Sequence, residues 1–164
     1  MCVDRSWLSA GSGIERRQCG RRAVSMPAID FDAEREYDES RFSARGAFRT
    51  ERVKVVCGFF EPGQFIPVHA PSSDLVVRVR SGTGIVREGD REHRVEPGDV
   101  VAVEADVDRG IRADEDGRLE ALLVTAPPPT DAEHEPVRRG LKRGEFDPDS
   151  EDADTADRGA DGGR

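Results

Sequence analysis

Lysine is almost missing from this chain of 164 residues: Lys54 and Lys142 are two of its 25 basic residues, and the rest are arginine. Long apolar runs are missing too. No stretch approaches the roughly 20 consecutive apolar residues needed to cross a bilayer, and the first residues lack the continuous apolar core of a secretion signal. The expectation is a soluble, cytoplasmic protein with no membrane partner. Cys2, Cys19 and Cys57 have neither metal-ligand nor redox spacing and leave an odd thiol, which argues against a disulfide framework. Basic charge is also in deficit, 34 acids against 25 bases, for a net of -9. That field repels phosphates and no basic patch in the middle of the chain offsets it, so nucleic acid is not an expected partner.

What is present is unevenly spread. Residues 1–25 carry five arginines against Asp4 and Glu15, whereas residues 145–164 carry eight acids against two arginines. The first segment reads as a basic unstructured extension, either an arm for an acidic partner or sequence upstream of a start at Met26. The last, over 147–164, reads as an acidic disordered tail with too little apolar surface to offset the entropy of ordering. Between them the expected parts are an N-terminal arm over 26–48, a β-domain over 49–125, and a Pro-rich, helical segment over 126–146. An acidic surface with arginine in place of lysine is the kind that keeps proteins solvated in high salt, where screening shrinks repulsion to about 3 Å at 1 M.

The β-domain is a train of short valine-rich runs cut by turn residues: RVKVVCGFF, FIPVH, DLVVRVR, IVRE, REHRV, VVAV, RGIRA and RLEALLVT. Eight strands at this spacing predict an all-β sandwich or barrel. Gly89-Asp90 predicts a two-residue hairpin loop, with glycine supplying the positive φ of a type II′ turn. Alternation puts Leu75, Val77 and Val79 inward, and by the same rule Val53, Val55, Cys57 and Phe59, with Arg52 and Lys54 opposite. Arg78, Arg80 and Arg112 then read as solvated. Pro127-Pro128-Pro129 ends the sheet because proline has no amide donor. Thr130 with Glu133 fits a capping box, and Pro136 restricts the following helix to a broken or restarted one through Leu141.

The order of strands and turns resembles the cupin family, whose fold is a double-stranded β-helix or jelly roll. The first cupin motif is similar to PGQFIPVHAPSSDLVVRVRSG, with Gly63, five residues, His69 and then Gly82; the second is similar in length to GDVVAVEADVDRGIRA, from Gly98 to Ala113. Together they span about residues 62–113. The resemblance implies a metal held by two histidines and a glutamate of the first motif and a histidine of the second. Here His69 alone stands in place, and the other positions are Pro71, Leu75 and Arg109. A permanent guanidinium beside one imidazole is the wrong donor set for a divalent ion, since ligands must be neutral nitrogens or anions. No metal and no cofactor are therefore expected. Asp74 is one residue from the glutamate position and so on the other face of its strand. A rebuilt site would have to draw on His69, His93 and His134.

The same positions suggest a different use. The resemblance places His69 and Arg109 across one cavity with walls from Pro71, Leu75, Val77 and Ile111, where a neutral imidazole and a guanidinium fork suit a carboxylate or phosphate. The alternative is that Arg109 swings to the rim and pairs with Asp106 or Asp108, leaving His69 as an interior histidine. The expectation is thus a metal-free cupin acting as a small-molecule binding, sensing or accessory module. Two other readings stay open: a cupin enzyme, either metal-dependent with atypical ligands or an isomerase using His69 as base, and a purely structural barrel. Cys57 reads as a small buried hydrophobe, not a nucleophile. Outward Ile66, Val68 and Val76 suggest a shared sheet surface and a homodimer.

Overall fold

The structure, a computed structural model, describes residues 28–148. The basic extension, Cys2, Cys19 and the acidic tail beyond Pro148 lie outside those residues. The described chain runs β1 (Ser43–Arg49), β2 (Lys54–Phe60), β3 (Phe65–His69), β4 (Asp74–Ser81), β5 (Gly84–Glu88), β6 (Arg91–Val95), β7 (Val100–Val103), β8 (Arg109–Ala113), β9 (Leu119–Ala126) and α1 (Glu135–Arg143). Every pairing is antiparallel, in two sheets ordered β1-β2-β9-β4-β7 and β3-β8-β5-β6. This is the expected all-β jelly roll with a short C-terminal helix. Its core joins the inner faces of both sheets through Phe60, Val77, Val79 and Leu119 on one side and Val86, Val95 and Ile111 on the other.

Turn chemistry fixes the strand ends. Gly89 has φ 55°, opening the two-residue loop that sets Glu88 opposite Arg91. Gly82 has φ 78°, and a Cβ there would lie 1.8 Å from the Arg118 carbonyl oxygen, so the backbones meet where no side chain fits. Alternation holds along β4: Leu75, Val77 and Val79 are buried and Arg78 and Arg80 are not.

Four expectations need correction. First, residues 43–49 of the arm form a ninth strand, a bulged edge partner of β2. Second, it is Val56 and Phe60, not Cys57 and Phe59, that join the barrel core, and Lys54 lines the barrel cavity with Val56. Both faces of β2 are buried, because Phe31 and Tyr37 of the arm pack edge-on against Phe59 at 5.1 and 5.8 Å. Third, Arg80 and Arg112 keep the outward face expected of them, Arg80 exposed and Arg112 half-buried, but neither is without a partner: Arg80 pairs with Asp32 at 2.5 Å and lies over Phe31, and Arg112 lies over Phe146. Fourth, α1 continues to Arg143 and is closed by Gly144 in the left-handed conformation. Pro136 sits in its first turn, where a missing N–H is tolerated. The Thr130–Glu133 pair forms, but it closes the turn ahead of the helix, whose N-cap is His134.

Glu120, 3% exposed on the outer face of β9, buckles the arm to the sheet. Its carboxylate accepts from Arg35 Nε at 2.5 Å and from the Tyr37 hydroxyl at 2.8 Å. Burial pushes its pKa up, but these bonds and the Arg35 charge outweigh that and hold it below the usual range.

Candidate functional site

A cavity of about 330 Å³ opens at the end of the barrel under α1. Its apolar wall comes from Val56, Ile66, Leu75, Ile111 and Leu123 of the strands, with Phe42 of the arm and Val137 and Leu141 of the helix. The helix lies close on β3: a Cβ on Gly140 would come within 2.6 Å of the Pro67 ring. The polar groups lining the cavity are Lys54, His69, Arg109, Thr125, His134 and Arg138, and none is a carboxylate. In a chain of net charge -9 this is a local reversal of sign.

His69 and Arg109 are register partners across β3 and β8. A bulge places them there. From Ile66 to His69 is three residues on β3, while their partners Ile111 and Arg109 are two apart on β8. The extra residue sets Ile66 and His69 on the cavity together, which corrects the expectation that Ile66 faces out. Val68 is 5% exposed, its amide bonded to the Phe146 carbonyl, so of the three residues expected to form an outer apolar surface Val76 alone is exposed. Leu75 and Ile111 line the cavity; Pro71 and Val77 do not. Val77 is packed deeper in the core, and the Pro71 carbonyl accepts from Ser73 and Asp106.

The Arg109 guanidinium is buried, with 3% of the residue exposed. It donates to the Ser73 carbonyl through one terminal nitrogen and to Ser73 Oγ at 3.0 Å through the other. It does not reach the rim to pair with Asp106 or Asp108. Burial lowers its pKa to about 10, opposed by the more distant charges of Glu133 and Asp74. Those two bonds leave further N–H donors of the fork for a ligand.

His69 Nδ1 lies 2.8 Å from the Pro67 carbonyl oxygen. A carbonyl only accepts, so Nδ1 carries the proton and the lone pair of the neutral ring is on Nε2. Burial, reinforced by the Arg109 and His134 charges, lowers the His69 pKa to about 4. His134 lines the same cavity, and burial together with Lys54 and Arg138 lowers its pKa. His93 does not belong with them: it is half-exposed on β6, its Nε2 2.7 Å from Glu88 Oε2. The three-histidine set is therefore not assembled.

The residues present do not fit a catalytic divalent cation. No three side chains of His, Cys, Asp or Glu converge among the described residues, and the guanidinium of Arg109 is paired with the one imidazole in place. Cys57 is 2% exposed beneath the arm, outside the barrel cavity, and burial pushes its thiol pKa up. It has the character of packing, not of a nucleophile.

Sequence reasoning missed Lys54, Thr125, Val137, Arg138 and Leu141 at this cavity, whereas His134, singled out in the sequence as a ligand candidate, does line it. Lys54 and Thr125 are register partners on β2 and β9, and Thr125 is in turn opposite Leu75 on β4. The polar pair thus stands on the sheet opposite to His69 and Arg109.

Residues 59–125 match the family model described as a cupin domain. No curated protein matches the sequence significantly. Among solved structures, the TT1209 protein of Thermus thermophilus is 28% identical with a TM-score of 0.61, covering 63% of this chain and 100% of its own. An RmlC-like cupin from Desulfovibrio desulfuricans is 27% identical with a TM-score of 0.56, covering 63% and 98%. KdgF from Halomonas sp., at 20% identity and a TM-score of 0.54, covers 62% and 94% and shares the fold.

Proposed function

From the premise that residues 59–125 are a cupin domain, we propose that the protein is a metal-free binding module whose barrel takes a small anionic organic molecule. One observation carries this reading: every polar group lining the cavity is basic or neutral, in a chain with an excess of acids. A largely apolar cavity wall strengthens each cation–anion contact relative to bulk water. Arg109 is held by Ser73 with N–H groups to spare, and neutral His69 offers a proton acceptor beside it.

A thermal-shift panel matched in shape tests the charge requirement. Hexanoate and benzoate are expected to raise the melting temperature, and hexan-1-ol and hexylamine are not. Equal stabilisation by the alcohol, or none by any anion together with no co-purifying acid in mass spectra, overturns the reading.

A second reading, a metal-free isomerase with His69 as general base, draws on the lone pair at Nε2. A pKa near 4 works against it, because an effective base titrates near the working pH. Elemental analysis of untagged protein separates the metal-dependent enzyme: one tightly held transition metal per chain would favour it over the binding module.

A further inference from the structure

Lys54 is the one lysine on the barrel, and it faces the cavity without a partner. Its ammonium makes no hydrogen bond or ion pair among the described residues, and Arg49 and Asp131 act on it only through space. Beside it in register is Thr125, whose hydroxyl oxygen is buried and unsatisfied, the one such side-chain atom among the described residues. Register partners on one sheet face have Cβ atoms about 5 Å apart, so one small group can touch both side chains. Buried polar atoms are ordinarily bonded, and an orphan hydroxyl next to an unpaired ammonium in an otherwise hydrocarbon wall marks a missing acceptor.

We propose that Lys54 and Thr125 form the anchor for the carboxylate of a small amphipathic monocarboxylic acid, its apolar body lying along Val56, Leu123 and Leu75. This deepens the binding reading above and rests on it. A carboxylate only accepts, and its two oxygens match one ammonium and one hydroxyl donor. Of the other cavity cations, Arg138 is paired with Glu135 and bonded to the Asp131 carbonyl, and Arg109 is held by the neutral Ser73 on the opposite sheet, away from the Lys54–Thr125 wall. On this wall the ammonium of Lys54 supplies one positive charge, which one carboxylate matches.

Two lysines in the chain make the test direct. In full-length protein labelled with [13C]lysine, titration with hexanoate is expected to move the Lys54 ε-methylene resonance and leave Lys142 in place. By calorimetry, Lys54→Met is expected to weaken hexanoate at least tenfold. Thr125→Val, which keeps the shape and removes the orphan hydroxyl, is expected to weaken it a few-fold while the melting temperature holds or rises. Unchanged affinity in Lys54→Met, or a Lys142 shift equal to that of Lys54, overturns the anchor. If Lys54→Met fails to fold, the wild-type lysine spectra and Thr125→Val decide. Hexanoate binding that survives Lys54→Met but is lost in Arg109→Leu sinks the anchor alone, whereas no anion binding to the wild type sinks the binding reading itself.

Discussion

Glu133 Oε1 accepts both the backbone N–H and the hydroxyl of Ser72, at 2.8 and 2.6 Å. Its other oxygen accepts the N–H and hydroxyl of Thr130, both at 2.7 Å. One carboxylate therefore ties the turn ahead of α1 to the β3–β4 loop, whose next residue, Ser73, holds Arg109. The roof of the cavity and its deepest cation share a loop.

Glu133→Gln is expected to loosen that roof, because an amide has one acceptor oxygen where the carboxylate has two. Amide exchange over α1 should accelerate on the order of tenfold with the barrel strands unaffected. The wild type should show the same loosening in acid. The four bonds lower the Glu133 pKa to about 2, below its ordinary 4.5, so the latch is intact above about 4.5 and is lost as pH falls toward 2. Uniform acceleration of exchange in all elements would count against a local latch.

His69 gives a pH dependence of its own. Its folded pKa of about 4 lies below the ordinary 6.5, so between those values the unfolded chain binds a proton that the folded chain does not. Stability contributed by the neutral ring is complete above about 6.5, falls as pH drops to about 4, and levels off below. The full span is on the order of 3 kcal/mol. His69→Gln should flatten the denaturation profile in that window, with a smaller slope left by His134, whose pKa is lowered too. An identical profile in wild type and variant would show that the ring titrates normally and is not buried as described.

Most of the fold was legible and most of the cavity was not, for one reason. Strand ends are written in local chemistry: Pro62-Gly63, Gly89-Asp90 and Pro97-Gly98 cut the chain where β3, β6 and β7 begin. The edge strand β1 escaped because SARGAFR is largely exposed and has no alternation to read. Which face of a strand looks inward is a tertiary fact. In β2 both faces are buried, so alternation cannot say whether Lys54 or Val55 meets the barrel. In β3 the bulge resets the phase between Ile66 and His69. The placement of α1 over the barrel, and so the roles of His134 and Arg138, depends on a contact between Gly140 and Pro67 that are 73 positions apart.

Gly140→Ala sets two opposing effects against each other. Alanine in place of glycine favours the helix by about 1 kcal/mol. The added Cβ would meet the Pro67 ring carbons at 2.6 and 2.7 Å, and a ring cannot rotate away. Overpacking of that kind costs about 1–3 kcal/mol, so the net should be destabilising, and α1 should ride higher on β3. A melting temperature that rises would show that helix propensity wins and that the close approach is not a constraint.

Arg109 and Ser73 are best separated by a double-mutant cycle. Arg109→Met removes a guanidinium that has no ion pair among the described residues, which relieves a desolvation cost. It also strands the Ser73 carbonyl and hydroxyl, 1% exposed, without their donors. Leaving buried groups unpaired costs about 1–3 kcal/mol each, so the loss should outweigh the relief. Ser73→Ala deletes the hydroxyl, and in the Arg109→Met background it should be far less harmful than in the wild type. A coupling of at least about 0.5 kcal/mol by chemical denaturation is the expected result. Strict additivity would mean that the two side chains do not support each other and that Arg109 is positioned by something other than Ser73.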